Sequence, residues 1–354
     1  MDQSREEHLA RLREENYVIE PGQKFEVDAF QPKDALGITR LYYAVYGETF
    51  PVDDVYSPET IVQNNQGNDL YQVVGRTSKG DIVGLYALFH SAPGDRIMEA
   101  GGWIVHPDYR GTSLALRLAS KIHKNPPEHL GIDLIFGQCV CDHLTPQKLT
   151  KKFNAKFCAL EMEPMPARPG EQAVYGRISL MDSVLPLKNC PDDLYLPDRF
   201  HAQLREIYAW LGLDRTYLDN EAREKALATS PETEISVFPL GESDVAKIEV
   251  ESVGADFAEH LAEAERKCPG MHTYHLLLPL SHPGCSAAAE AAHKSGFFFG
   301  GVLPLWFDRD ALLMQKVSGT PDFSKPQILT EEGKRIMEMV QADWQALQAE
   351  KEER

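Results

Sequence analysis

One stretch constrains this chain more than any other: Gly101-Gly102-Trp103-Ile104-Val105-His106-Pro107-Asp108-Tyr109-Arg110-Gly111-Thr112-Ser113-Leu114-Ala115. An extended apolar run stops at Pro107, a short polar turn follows, and LALRLASKIHK then takes up helical spacing. Gly111, Thr112, Ser113 and Ala115 are small, so the N–H groups of the turn face outward with little side chain over them. The first N–H groups of a helix have no internal acceptor, and the helix dipole adds partial positive charge there. The stretch therefore predicts a strand-to-helix corner able to hold a phosphate, with Arg110 beside it as a fixed charge. A capped turn with no ligand is the competing reading.

The elements around the corner narrow the fold. KFEVDAF (24–30) alternates as a strand, and ALGITRLYYAVYG carries apolar residues at helical spacing after Pro32. PVDDVYSPETIVQNN reads as a loop and a short helix. LYQVVGRT and DIVGLYALFHSA form a hairpin across Ser78-Lys79-Gly80. RIMEAGGWIVHP is the strand before the corner, IDLIFGQCVCDH the next strand, TPQKLTKKF a helix, and KFCALEMEPM and AVYGRISLMDSV two closing strands. The order β α α β β β α β α β β over roughly 24–185 is an α/β (α+β) arrangement on a mixed, mostly antiparallel sheet flanked by helices.

Corner and order together resemble the GCN5-related N-acetyltransferase (GNAT) superfamily. Its pyrophosphate loop reads Arg/Gln-x-x-Gly-x-Gly/Ala, commonly after Val-x-Pro-x-Tyr/Trp. Val105, Pro107, Tyr109, Arg110 and Ala115 match, and Ser113 stands where glycine is usual. The resemblance implies that acetyl-CoA binds where strands 97–105 and 132–141 splay apart. The backbone of Ile104 and Val105 would pair with the pantetheine arm, as in strand addition. The pyrophosphate would rest on Arg110, Gly111, Thr112, Ser113, Leu114 and Ala115.

The resemblance also points to catalytic groups. Glu99 stands where many of these enzymes carry a basic carboxylate, and simple alternation would put it on one strand face with Gly101, Trp103 and Val105. A solvated glutamate at the strand end is the alternative. The family's usual acid, a tyrosine in the helix after the 132–141 strand, has no counterpart, since no tyrosine occurs between Gly131 and Val174. Cys141, His143 and Tyr175 are substitutes by location. Cys139, Cys141 and His143 read either as a reactive thiol beside an imidazole or as ordinary buried core residues, and too few ligands of clear spacing are present to predict a metal. Tyr42, Tyr46, Glu48 and Phe50 fall where the family walls its acceptor pocket, and aromatic rings with an acid there would suit a cationic amine.

From Glu234 the element order partly recurs without an Arg-x-x-Gly-x-Gly/Ala match. The expected division is a helical leader (1–23), an acetyltransferase domain (24–186), a Pro- and Asp-rich linker with a helix (187–232), a degenerate, partial GNAT-like domain (233–320) and a charged C-terminal helix (321–354). The leader is expected as an exposed or frayed helix, and the last helix is expected to dock through Ile336, Met339, Val340 and Trp344.

Composition sets the partners. Lys+Arg 36 against Asp+Glu 54 gives −18, which opposes nucleic acid, including charged tRNA, as a substrate or partner. No run is long and apolar enough for a membrane span, the leader lacks a signal-peptide core, and six scattered cysteines do not form a disulfide framework, so a cytoplasmic protein, monomer or homodimer, is expected. The leading function is transfer of an acetyl group from acetyl-CoA to an amine of a small molecule or protein. The competing class is a non-catalytic acyl-CoA sensor or regulatory protein, favoured by the missing tyrosine and by Ser113.

Overall fold

Paired glycines on neighbouring strands fix how the corner seats on its sheet. In the computed structural model, which describes residues 3–50, 52–167, 176–219 and 232–353, β1 (Phe25–Ala29), β2 (Leu70–Thr77), β3 (Ile82–Phe89) and β4 (Ile97–Val105) form consecutive antiparallel neighbours. Gly75 of β2 pairs with Gly84 of β3. A Cβ at either would stand 2.4 or 2.9 Å from the side chain of Leu114, the first residue of α4 (Leu114–Lys124). Leu114 is wholly buried in the dent they leave, so the helix N-terminus is held against the sheet.

The chain divides into two units, residues 1–91 with 98–135 and residues 92–97 with 136–354. In the first, α4 covers one face of the sheet, and α1 (Gln3–Glu15), α2 (Ala35–Tyr46) and α3 (Pro58–Asn64) gather on the other. Their core includes Leu9, Ile38, Leu41, Val74, Leu85 and Ile104. The leader helix is therefore packed rather than frayed: Leu9 and Leu12 are 1% and 6% exposed, and Arg5 pairs with Asp53. Its two apolar residues, three apart, are enough to dock one face.

In the second unit the sheet order is β5-β7-β6-β13-β14-β12-β11-β10, with β5 (Leu134–Val140, entered from the first unit), β6 (Lys156–Met165), β7 (Ile178–Pro186), β10 (Glu234–Leu240), β11 (Val245–Ser252), β12 (Thr273–Pro279), β13 (Phe298–Leu303) and β14 (Ala311–Val317). The sequence β5-β7-β6 is mirrored by β12-β14-β13 about a junction where Gly301 pairs with Ala159. Gly301 has φ +133°, and a Cβ there would lie 2.4 Å from the Ala159 Cα; only glycine lets the two strands approach so closely. β11 and β12 are parallel, joined through α7 (Phe257–Lys267), and α8 (Cys285–Lys294) links β12 to β13.

The segment read as a linker carries β8 (Asp192–Leu194), α6 (His201–Leu211) and β9 (Arg215–Tyr217). Arg215 forms a fully buried ion pair with Asp310, 2.6 Å. Three-residue strands are too short to show alternation, which is why sequence pattern missed them. The last helix, α9 (Glu331–Glu352), docks as expected: Ile336, Met339 and Val340 are buried, Trp344 meets Phe323, and Asp343 accepts the Phe299 N–H at 2.8 Å. No helix among the described residues is long and apolar enough to cross a membrane.

Candidate active site

The corner after β4 is built from underneath. Tyr109 is 2% exposed; its hydroxyl donates to the Glu20 carbonyl at 2.7 Å and accepts the Gln23 N–H at 3.2 Å. Its ring packs edge-on against Phe25 and His106. The aromatic of the motif is thus a structural pin, tying the loop to the segment after α1. Gly111 adopts φ +77° with open space around it. The exposed Arg110 donates through Nε to the Val105 carbonyl at 3.3 Å. Thr112 Oγ1 donates to the Tyr109 carbonyl and accepts the Leu114 N–H.

Among the described residues, the N–H groups of Gly111, Ser113 and Ala115 meet no acceptor. The first turn of α4 holds no acidic residue. Ser113, the N-cap of α4, has φ −73° and ψ −4°, a conformation open to any residue, and its side chain faces solvent. The corner thus offers exposed amides, a helix N-terminus and a guanidinium, a donor set that fits a phosphate group. Leu114, by contrast, contributes anchorage, its side chain buried and its amide engaged.

Simple alternation along β4 fails at one place. Leu85 pairs with Ile104 but Ala87 with Gly101, so β4 carries an extra residue, a β-bulge, with Gly102 at φ +62°. The bulge inverts parity. Glu99, Gly101 and Ile104 share the face that carries α2, since their partners Phe89, Ala87 and Leu85 lie there. Trp103 turns to the other face and meets Tyr86, 5.5 Å between centroids, whose hydroxyl lies 3.2 Å from His123 of α4. The expected common face of Glu99, Gly101, Trp103 and Val105 is thereby split. Glu99 accepts a hydrogen bond from Ser91 Oγ at 2.6 Å and lies beside the Phe89 ring at the edge of the pocket face.

On that face lies a cavity of about 740 Å³. The buried Ile38, Leu85 and Ala87 form its floor; Tyr42, Phe50 and Phe89 contribute rings; Gly102 of the bulge also lines it. Of the four residues expected around an acceptor, Tyr42 and Phe50 line this space, with centroids 4.9 Å apart. Tyr46 stacks on Phe50 at 5.0 Å from outside. Glu48 is not brought there: it accepts two hydrogen bonds from Arg13 of α1, at 2.8 and 3.0 Å. The carboxylates on the lining are Asp54 and Asp69, both exposed, and nothing in local pattern marked them. Burial, and after it the neighbouring Tyr46 and Tyr56, push the Tyr42 hydroxyl well above its usual range, so it is a neutral donor. Its oxygen comes within 3.9 Å of the place a Gly102 Cβ would occupy.

The cysteine–histidine group belongs to the second unit. Cys139 Sγ sits 3.1 Å from Thr150 Oγ1, and burial pushes its thiol up to about 11. Cys141 is 1% exposed and burial raises its thiol further. Both are therefore protonated at neutral pH. His143 is half-exposed, its Nδ1 accepting the Thr145 N–H at the start of α5 (Thr145–Lys152). Tyr175 lies outside the described residues.

No protein-family model matches this sequence, and no curated protein does. Among solved structures it is similar to the ribosomal-protein-S18-alanine N-acetyltransferase of Escherichia coli, with 14% identity, 47% of this chain and 95% of that one covered, and TM-score 0.37. An N-acetyltransferase of Staphylococcus aureus Mu50 gives 18% identity, 47% and 99% coverage, and TM-score 0.38. A spermidine N-acetyltransferase of Vibrio cholerae, solved with CoA and spermine, gives 15%, 46% and 95%, and 0.37.

Proposed function

We propose that this chain is an acetyl-CoA-dependent N-acetyltransferase acting on an amine. The observation that carries the reading is the corner between Val105 and Ala115, with its exposed amides, positive-φ Gly111, adjacent Arg110 and acid-free helix start. Arg110 and the amides of Gly111, Ser113 and Ala115 would hold the pyrophosphate, and the backbone of Ile104 and Val105 would carry the pantetheine arm. Acetyl-CoA supplies the activated acyl group as a thioester.

The chain's own residues then have three tasks. The α2-face cavity receives the acceptor. Glu99, directly or through a water, removes the ammonium proton so that the nitrogen lone pair is free. The neutral Tyr42 hydroxyl donates a hydrogen bond at the bulge end of the cavity. Cys141 and His143 take no part in this scheme, because the thiol is buried and protonated.

A CoA-sensing protein without turnover is the second reading, and the absence of a tyrosine between Gly131 and Val174 favours it. Titration with acetyl-CoA tests the shared part. Replacing Gly111 by Val and Ser113 by Phe, both at exposed positions, is expected to abolish binding while circular dichroism stays unchanged; unaltered affinity refutes the corner's role. Release of CoA in the presence of amines then separates enzyme from sensor.

A further inference from the structure

We infer that the acceptor is a small primary amine carried on a bulky apolar body, of arylalkylamine type, rather than a polyamine. The inference rests on the acetyltransferase reading and concerns the cavity of the first unit.

The cavity is sorted by polarity. Its floor residues Ile38, Leu85 and Ala87 are at most 3% exposed to solvent. Its ring-bearing walls leave space of about 740 Å³, within the range of small-molecule sites. Among the described lining residues the carboxylates are those of Asp54 and Asp69. Asp54 and Asp69 stand at the exposed mouth, and Asp54 already accepts from Asn64 Nδ2 at 3.0 Å. Gln72, the buried amide of the lining, spends its Oε1 on Asn65.

A polyamine laid across this space would hold an ammonium over Ile38, Leu85 and Ala87 with ring faces as its partners and no carboxylate beside it, so its desolvation is incompletely repaid. An apolar body gains instead, by about 0.8 kcal/mol per buried methylene equivalent. Away from the mouth, polar groups gather again at the bulge. Gly102 gives backbone there, the Tyr42 hydroxyl is close by, and Glu99 follows on the same strand face. A single amine at that end, with a ring packed among Leu85, Phe50 and Phe89, satisfies both ends of the space.

The test compares 2-phenylethylamine with spermidine on the full chain, reading CoA release and, separately, calorimetric binding to the protein saturated with CoA. The expected result is a kcat/KM at least tenfold higher for 2-phenylethylamine. Ala87→Phe, which fills the floor, should lower that value at least tenfold and leave CoA affinity unchanged. If Ala87→Phe does not fold, Val52→Trp at the exposed mouth should lower it in the same direction. Spermidine as the better substrate, or the better ligand, overturns the inference. So does failure of 2-phenylethylamine to bind. Binding of 2-phenylethylamine without turnover would retain the apolar-amine site and remove the acetyltransferase reading instead.

Discussion

Two strand-to-helix corners in this chain start from similar material and end chemically opposed. In the first unit, β4 leads through Arg110 and Gly111 to Ser113, the N-cap of α4, and the amides of Gly111, Ser113 and Ala115 meet no acceptor among the described residues. In the second unit, β11 leads through Gly254 to Asp256, the N-cap of α7. There the Gly254 N–H donates to Thr233 Oγ1 at 2.8 Å and the Val253 N–H meets His282 Nε2. The Asp256 carboxylate, held low chiefly by hydrogen bonds from Thr233, stands at the N-cap, and Glu259 adds a second acid in the first turn of α7. One helix start carries no acid, and the other carries a carboxylate at its N-cap and a second in its first turn. A shared secondary-structure order therefore does not imply a shared ligand; the N-cap residue and the fate of three or four amides decide it.

The largest test of this asymmetry is catalytic. Glu99→Gln should depress kcat by about 10²–10⁴-fold with CoA affinity nearly intact, whereas Glu249→Gln, on β11, should leave kcat within twofold. Steady-state rates from pH 6 to 9 on a verified amine check this, and equal effects of the two substitutions would erase the distinction between the units.

The second test is structural. Gly301→Ala forces a Cβ onto the Ala159 backbone at a positive-φ position and should destabilise the second unit by at least ~2 kcal/mol. Gly111→Ala, in open space, should cost less than half of that in denaturant unfolding.

A third substitution converts one corner into the other. Ser113→Asp gives α4 the N-cap that α7 has. It should weaken acetyl-CoA at least tenfold by placing a carboxylate against the pyrophosphate, while thermal stability holds or rises, since Asp is a favourable N-cap. A fall in both quantities would mean that the loop was simply broken.

The smallest effect concerns Glu161 on β6, buried at 7% exposure. Burial pushes its carboxyl up to about 7 from an ordinary 4.5, opposed by Lys247 and Gln138. A raised carboxyl favours the folded state when protonated, so its stabilisation is complete below about pH 4.5 and is lost as pH rises through 7. Glu161→Gln should remove that loss, raising Tm at pH 8 relative to pH 5 by a few degrees, on the order of the shift that ~1 kcal/mol produces. An identical pH profile in the variant would contradict the assignment.

Much of this was legible in the residues. The span of β4, the corner, the hairpin before it and the docking stripe of α9 follow from periodicity and from Pro107. The β4 bulge was not, because one inserted residue leaves no mark beyond the Gly101-Gly102 pair, yet it re-aims every side chain after it. Glu48 reads as a pocket acid in the sequence, but in the fold Arg13, 35 residues earlier, takes its carboxylate. Asp54 and Asp69 reached the cavity mouth through loops whose course no local pattern encodes. The Pro- and Asp-rich segment after β7 hid a buried Arg215–Asp310 pair that only tertiary structure reveals.

We expect the open corner, and not its counterpart, to bind the donor. Isothermal titration of the full chain with CoA tests it most directly. A stoichiometry of one per chain, with affinity weakened at least tenfold in Ser113→Asp and unchanged in Asp256→Ser, is the predicted result. Two sites per chain, or one whose affinity is unchanged in Ser113→Asp and lost when Asp256 is altered, would contradict it.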